Sequence, residues 1–134
     1  MIFRLLYLLN GRRYRTRTAK IKGRRIKLYL ADTPLRKTIG LMYWERLRKD
    51  EGMLFTFGND ARHAFWMMGM NFPIDMVWLD NSKRITYIVS SARPCKSVFN
   101  CPSYAPEKDS RYVLELAAGS ARRLRLTIGE RISI

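Results

Sequence analysis

Residues 74–90 read Ile74-Asp75-Met76-Val77-Trp78-Leu79, then Asp80-Asn81-Ser82-Lys83-Arg84, then Ile85-Thr86-Tyr87-Ile88-Val89-Ser90, and this stretch decides the fold class. Both flanks are strand-length runs of aliphatic, β-branched and aromatic residues, and Asp-Asn-Ser between them is turn chemistry. The same unit recurs outward in both directions. Upstream, residues 53–57 form an apolar run closed by Gly58-Asn59-Asp60, and residues 63–68 form another, broken by Asn71-Phe72-Pro73. Downstream, a loop at 94–106 holds three prolines and both cysteines, residues 112–116 read as a strand, and 118–120 and 128–130 read as turns before an alternating end at 131–134. Further upstream, residues 25–31 alternate with Ile26, Leu28 and Leu30 inward. Asp32-Thr33-Pro34 is a helix start, with a capping residue followed by proline at the first helical position. Leu35, Ile39 and Met42 supply an apolar helical face, and Gly40 argues for a short helix over about 34–45. The expectation is an α+β fold: a small barrel-like, mostly antiparallel β-sheet with one principal short helix.

The first 22 residues read as an added β-hairpin, with the remaining 23–134 as a single domain. Asn10-Gly11 suits a type I′ turn, which needs positive φ at both central positions. In the strand after it, Arg13, Arg15 and Arg17 share one face, about 6.8 Å apart. Residues 1–31 contain ten basic residues and no acid, the first acid being Asp32. The whole chain of 134 residues has 26 Lys+Arg against 11 Asp+Glu, a formal net charge of +15. Its 47% hydrophobic content is that of a globular domain. Such a charge favours polyanionic partners, with nucleic acid foremost. No apolar run reaches the ~20 residues of a membrane span, and the start lacks the order of charge, apolar core and small residues that marks a signal peptide. A cytoplasmic location is therefore expected. The oligomeric state is not readable.

Chemistry-bearing patterns are sparse, which leans against an enzyme, and no catalytic residue is assigned. His63 is the sole histidine, so any triad would need it, and no nucleophile elbow accompanies it. Cys95 and Cys101 are too few for a zinc site and lack redox spacing; they read equally as a local disulfide or as two free thiols. No phosphate loop, metal motif or dinucleotide fingerprint is present, so no metal or cofactor is expected. Asp75 and Glu115 are carboxylates set among strand formers; held inward, each needs a partner, for which Arg46 and Asn71 are candidates. Met67, Met68 and Met70 beside Phe65 and Trp66 suit core filling, or a pocket lining for flat or apolar ligands, sugars included.

An ordered series of motifs carries a family resemblance: Ala31-Asp32-Thr33, Gly40-Leu41-Met42, Gly52-Met53-Leu54-Phe55, Phe65-Trp66-Met67, Pro73-Ile74-Asp75, and Tyr112-Val113-Leu114-Glu115-Leu116 with Gly119. From about Gly23 to Ile134 the chain closely resembles the domain of unknown function family 192. The cysteine loop ending in Pro-Ser-Tyr is also similar to that of many relatives. The resemblance implies a compact α+β fold with a barrel-like sheet and one principal helix, and no established activity. This sequence departs from the family pattern where Gly69-Met70 stands for Asn-Thr, where Arg36 stands for an acid, and in the arginine-rich start.

The combined expectation is a non-catalytic binding domain. The first reading is an anionic polymer held by Arg13, Arg15 and Arg17 of the hairpin with Arg122, Arg123 and Arg125. The alternative is a small ligand, carbohydrate among the candidates, in a pocket around Trp66, Met67 and Asp75, with Glu115 and Met42 beside it. An enzyme of unknown type is a third.

Overall fold

The computed structural model describes Leu5 and residues 14–134. Apart from Leu5, the expected strand at 2–9, its Asn10-Gly11 turn and Arg13 lie outside the described residues. The described strands are β1 (Thr16–Ile21), β2 (Arg24–Ala31), β3 (Glu51–Ala61), β4 (Phe65–Trp66), β5 (Ile74–Leu79), β6 (Ile85–Ala92), β7 (Ser103–Tyr104) and β8 (Ser110–Ala117). Among the described residues, the short helix α1 (Pro34–Ile39) lies between β2 and β3, and α2 (Ser120–Arg123) follows β8.

Six strands form one mixed sheet in the order β1-β2-β3-β8-β5-β6, and β4 pairs with β7 separately. The 74–90 stretch is the antiparallel pair β5–β6. Among the described strand pairs, β2–β3 is the parallel one. A parallel pair needs a crossover connection, and residues 32–50, with α1, provide it. Among the described strands the sheet is open, with β1 and β6 at its ends, so the expected closure into a barrel is not observed. β1 pairs with β2 through the turn at Lys22-Gly23, so the described part of the arginine-rich start is continuous with the main fold.

Both faces of the sheet are covered, as the six consecutive buried residues of β5 require. On the first face, Leu28, Leu54, Val77, Leu79, Leu114 and Leu116 pack with Ala121 of α2, with Leu124 just after it, and with Leu126 and Ile132 further on. On the second, Met53, Phe55, Met76, Trp78 and Val113 pack with Leu41, Met67 and Met70. Trp78 is fully buried, and its indole N–H donates to the His63 carbonyl at 2.8 Å, so its one polar atom is satisfied.

The expected helix is real at its start and shorter at its end. Thr33 Oγ accepts from the Arg36 N–H at 3.2 Å, with Pro34 opening the helix. It stops at Ile39, not near 45, because Gly40 takes φ 52°, and its N–H closes the last turn on the Arg36 carbonyl at 2.8 Å. Three other local readings are corrected. Gly58-Asn59-Asp60 lies within β3, at a register shift, instead of ending it. Of residues 63–68 only Phe65–Trp66 is strand. Residues after Gly119 form α2, where only a turn is expected.

Candidate functional site

A basic surface is assembled from three separate segments. The β1–β2 turn brings Lys20, Lys22, Arg24 and Arg25; the end of the crossover brings Lys49; α2 and its exit bring Arg123 and Arg125. They line adjoining surface hollows, two of which, about 240 and 330 Å³, share Arg24 and Arg123. The arrangement is built in: Arg123 donates to the Lys49 carbonyl at 3.1 Å and to Ser120 Oγ at 3.0 Å, and Lys22 donates to the Arg125 carbonyl at 3.3 Å. Two acids intrude. Asp50 lines one hollow, and Glu130 pairs with Lys22 at 2.9 Å. Burial pushes the Glu130 carboxyl up, but hydrogen bonds from Lys22 and Thr127 outweigh it and hold it below its usual range.

The arginine ladder is divided. Arg13 lies outside the described residues. Arg15 is ion-paired with Asp32, which also meets Arg36 at 3.4 Å. Burial raises Asp32, and the hydrogen bond and charge of Arg15 outweigh that, so it titrates below its ordinary range. Arg17 alternates in phase with buried Ala19 and Ile21, on the first face of the sheet. Arg122 is exposed on α2 beside Arg123.

The two carboxylates are separated by the sheet. Asp75 alternates with Val77 and Leu79, toward the first face, whereas Glu115 stands opposite Met53 and Met76, toward the second. Asp75 is a structural acceptor: its Oδ1 takes the Ser91 N–H and its Oδ2 the Ala121 N–H, both at 2.8 Å. It thereby ties β6 to the first turn of α2, whose Gly119 N-cap has no side chain to do so.

Glu115 lies in an aromatic hollow of about 280 Å³. Its walls come from the end of α1 and Met42, from Phe55 and Phe57 of β3, and from Phe65 and Trp66 of β4. Trp66 is 47% exposed at the surface, and Glu115 is 4% exposed. Glu115 Oε2 has no hydrogen-bond partner, and burial pushes the carboxyl up to about 8. The suggested partners are elsewhere: Asn71 donates to the Trp44 carbonyl at 2.8 Å, and Arg46 is exposed. Gly69, at φ 72°, lets the chain pass Met42, where a Cβ would come within 2.8 Å of its side chain. Of the expected pocket residues, Trp66, Met42 and Glu115 come together here; Met67 is buried in the core and Asp75 is across the sheet. Phe55 belongs to a quoted family motif but carries no expected site role there, and nothing in the spacing of Lys37 or Phe57 marks either as a site residue.

His63 stacks on Phe57 with ring centroids 3.7 Å apart, and its Nε2 lies 3.1 Å from the Asn59 carbonyl. Cys95 and Cys101 form a disulfide across the proline loop, with Cα atoms 5.4 Å apart. Among the described residues no group of three or more His, Cys, Asp or Glu is placed to hold a metal, and no helix is long and apolar enough to cross a membrane.

The profile of the DUF192 family, described as an uncharacterized ACR, matches residues 17–134. A UPF0127 protein of Thermococcus kodakarensis is 30% identical over 112 residues, covering 80% of this chain and 64% of the relative. Another from Thermococcus gammatolerans is 28% identical, covering 78% and 63%. The chain thus spans a little under two thirds of these relatives. A crystal structure from Sinorhizobium meliloti, of a protein described only provisionally as a transcription regulator, superposes with a TM-score of 0.76 at 32% identity, covering 88% of this chain and 92% of that one. A protein of unknown function from Novosphingobium aromaticivorans gives 0.75 at 25% identity, covering 87% and 81%.

Proposed function

This chain belongs to the DUF192 family, and we propose that it acts as a binding domain for an anionic polymer, nucleic acid foremost, through its composite basic surface. The observation that carries this reading is the convergence of Lys20, Lys22, Arg24, Arg25, Lys49, Arg123 and Arg125 on adjoining hollows. Arginine predominates among them, and its planar fork suits phosphate oxygens. Arg17 of the partial ladder and the exposed Arg122 of α2 are assigned to its margin. The Sinorhizobium relative's description is consistent with this reading without establishing it.

The test is fluorescence anisotropy with a mixed-sequence oligonucleotide at several salt concentrations. Neutralising four phosphates would give a slope of log affinity against log salt of about −3 to −4. Replacing Arg24, Arg25 and Arg123 by alanine should reduce that slope by roughly one for each phosphate no longer neutralised. No binding at low salt, or an unchanged slope in the triple variant, would reject the surface.

A further inference from the structure

We propose that the hollow above Glu115 is a binding site for a small organic ammonium group, with Glu115 as its counter-ion and the rings of Phe57, Phe65 and Trp66 as its walls. The site is distinct from the basic surface. The hollow opens on the second face of the sheet, while α2, which carries Arg123, packs on the first.

Three observations converge. A buried carboxyl reaches the hollow with one oxygen unpartnered, although buried polar atoms are ordinarily satisfied. The walls are aromatic rings and thioethers, whose electron-rich faces attract a desolvated cation. The chain already demonstrates this affinity: the Lys37 ammonium lies 4.8 Å from the Phe57 ring centroid while donating to the Thr56 carbonyl at 3.1 Å. That hydrogen bond engages Lys37, burial is what raises the Glu115 carboxyl, and among the described residues no cation is ion-paired with it. Most of the chain's positive charge is screened beyond about 8 Å at physiological salt. Of the described residues that line the hollow, Lys37 is the cation that opposes a cationic ligand at close range, and the ligand must gain more from Glu115 and the rings than it loses to Lys37.

Glu115, pushed up to about 8, holds its proton near pH 7 in the empty hollow. The other titratable groups at the site are Lys37 on the wall and His63, stacked behind Phe57. When an ammonium enters, the carboxyl ionises, its proton passes to the buffer, and an ion pair forms against the rings. A neutral guest of the same shape releases no proton.

Calorimetry at pH 7 in two buffers of different ionisation enthalpy separates these cases. The probes are phenethylammonium, the isosteric phenethyl alcohol and phenylpropionate. Phenethylammonium is expected to bind at least about ten-fold more tightly than the alcohol, with close to one proton released per ligand. E115Q, whose neutral amide matches the protonated acid in size, should bring ammonium affinity down to that of the alcohol and abolish proton release. W66A alters an exposed ring and is expected to fold; it should weaken ammonium binding several-fold. A lysine-containing peptide run alongside distinguishes a protein side chain from a free amine as the source of the group. Equal or tighter binding of the alcohol or the carboxylate, ammonium binding without proton release, full affinity in E115Q, or no binding of any cationic probe would each overturn the proposal.

Discussion

Asp75 accepts two backbone N–H groups across the sheet from a Glu115 whose Oε2 accepts none. Replacing Asp75 by alanine strands two donors, one of them buried, so a loss of about 3–5 kcal/mol is expected in urea unfolding. A loss below about 1 kcal/mol would show that water replaces the carboxylate. Glu115 has the opposite signature. Its folded value of about 8 lies above the ordinary 4.5, so the unfolded state ionises first. Its contribution is fully present below about pH 4.5 and is lost as pH rises toward 8, at most about 1.4 kcal/mol per pH unit. E115Q should therefore flatten the fall in the urea midpoint between about pH 5 and 8; a parallel decline in both proteins would assign it to other groups.

At the scale of elements, α1 sets one wall of the hollow by stopping early. Gly40 to alanine would force a side chain into φ 52°, with its Cβ 3.2 Å from the Phe55 ring. A destabilisation of about 1–2 kcal/mol is expected, with altered tryptophan fluorescence reporting a displaced wall. The Cys95–Cys101 disulfide closes a short loop, and Cys95 bridges Met68, itself part of the hollow. Reduction should cost up to about 2 kcal/mol, read as a lower unfolding midpoint with dithiothreitol; an unchanged midpoint would mean the loop is held by its other contacts.

For the whole molecule, like charge outweighs pairing. The described residues contain four ion pairs, all at least partly exposed, against a formal net charge of +15. Exposed pairs contribute little, while self-repulsion acts on the entire compact state. Raising sodium chloride from about 0.05 to 0.5 M should raise Tm by several degrees. A falling Tm would mean that the ion pairs hold the fold together.

Periodicity and turn chemistry are local, and what they determine was legible: the β5–β6 pair, the strand β2, the Thr33-Pro34 helix start and the predominance of sheet. The motifs between Ala31 and Gly119 made the family legible, while its match over residues 17–134 takes in most of β1 as well, which the resemblance from Gly23 onward leaves out. Strand order is not local, and neither the parallel β2–β3 pair nor the open edges could be read from spacing. Alternation makes a carboxylate face one side of a strand, but which side holds a partner depends on what packs there. Asp75 thus became a tether and Glu115 an unpaired group in a hollow. The basic surface shows the same division. Its charge is visible in the composition, yet Arg15 is claimed by Asp32 while Lys49 and Arg123 join the β1–β2 turn from distant positions. Only tertiary packing determines which charges remain available and which stand together, because Coulomb interactions depend on separation in space, not along the chain.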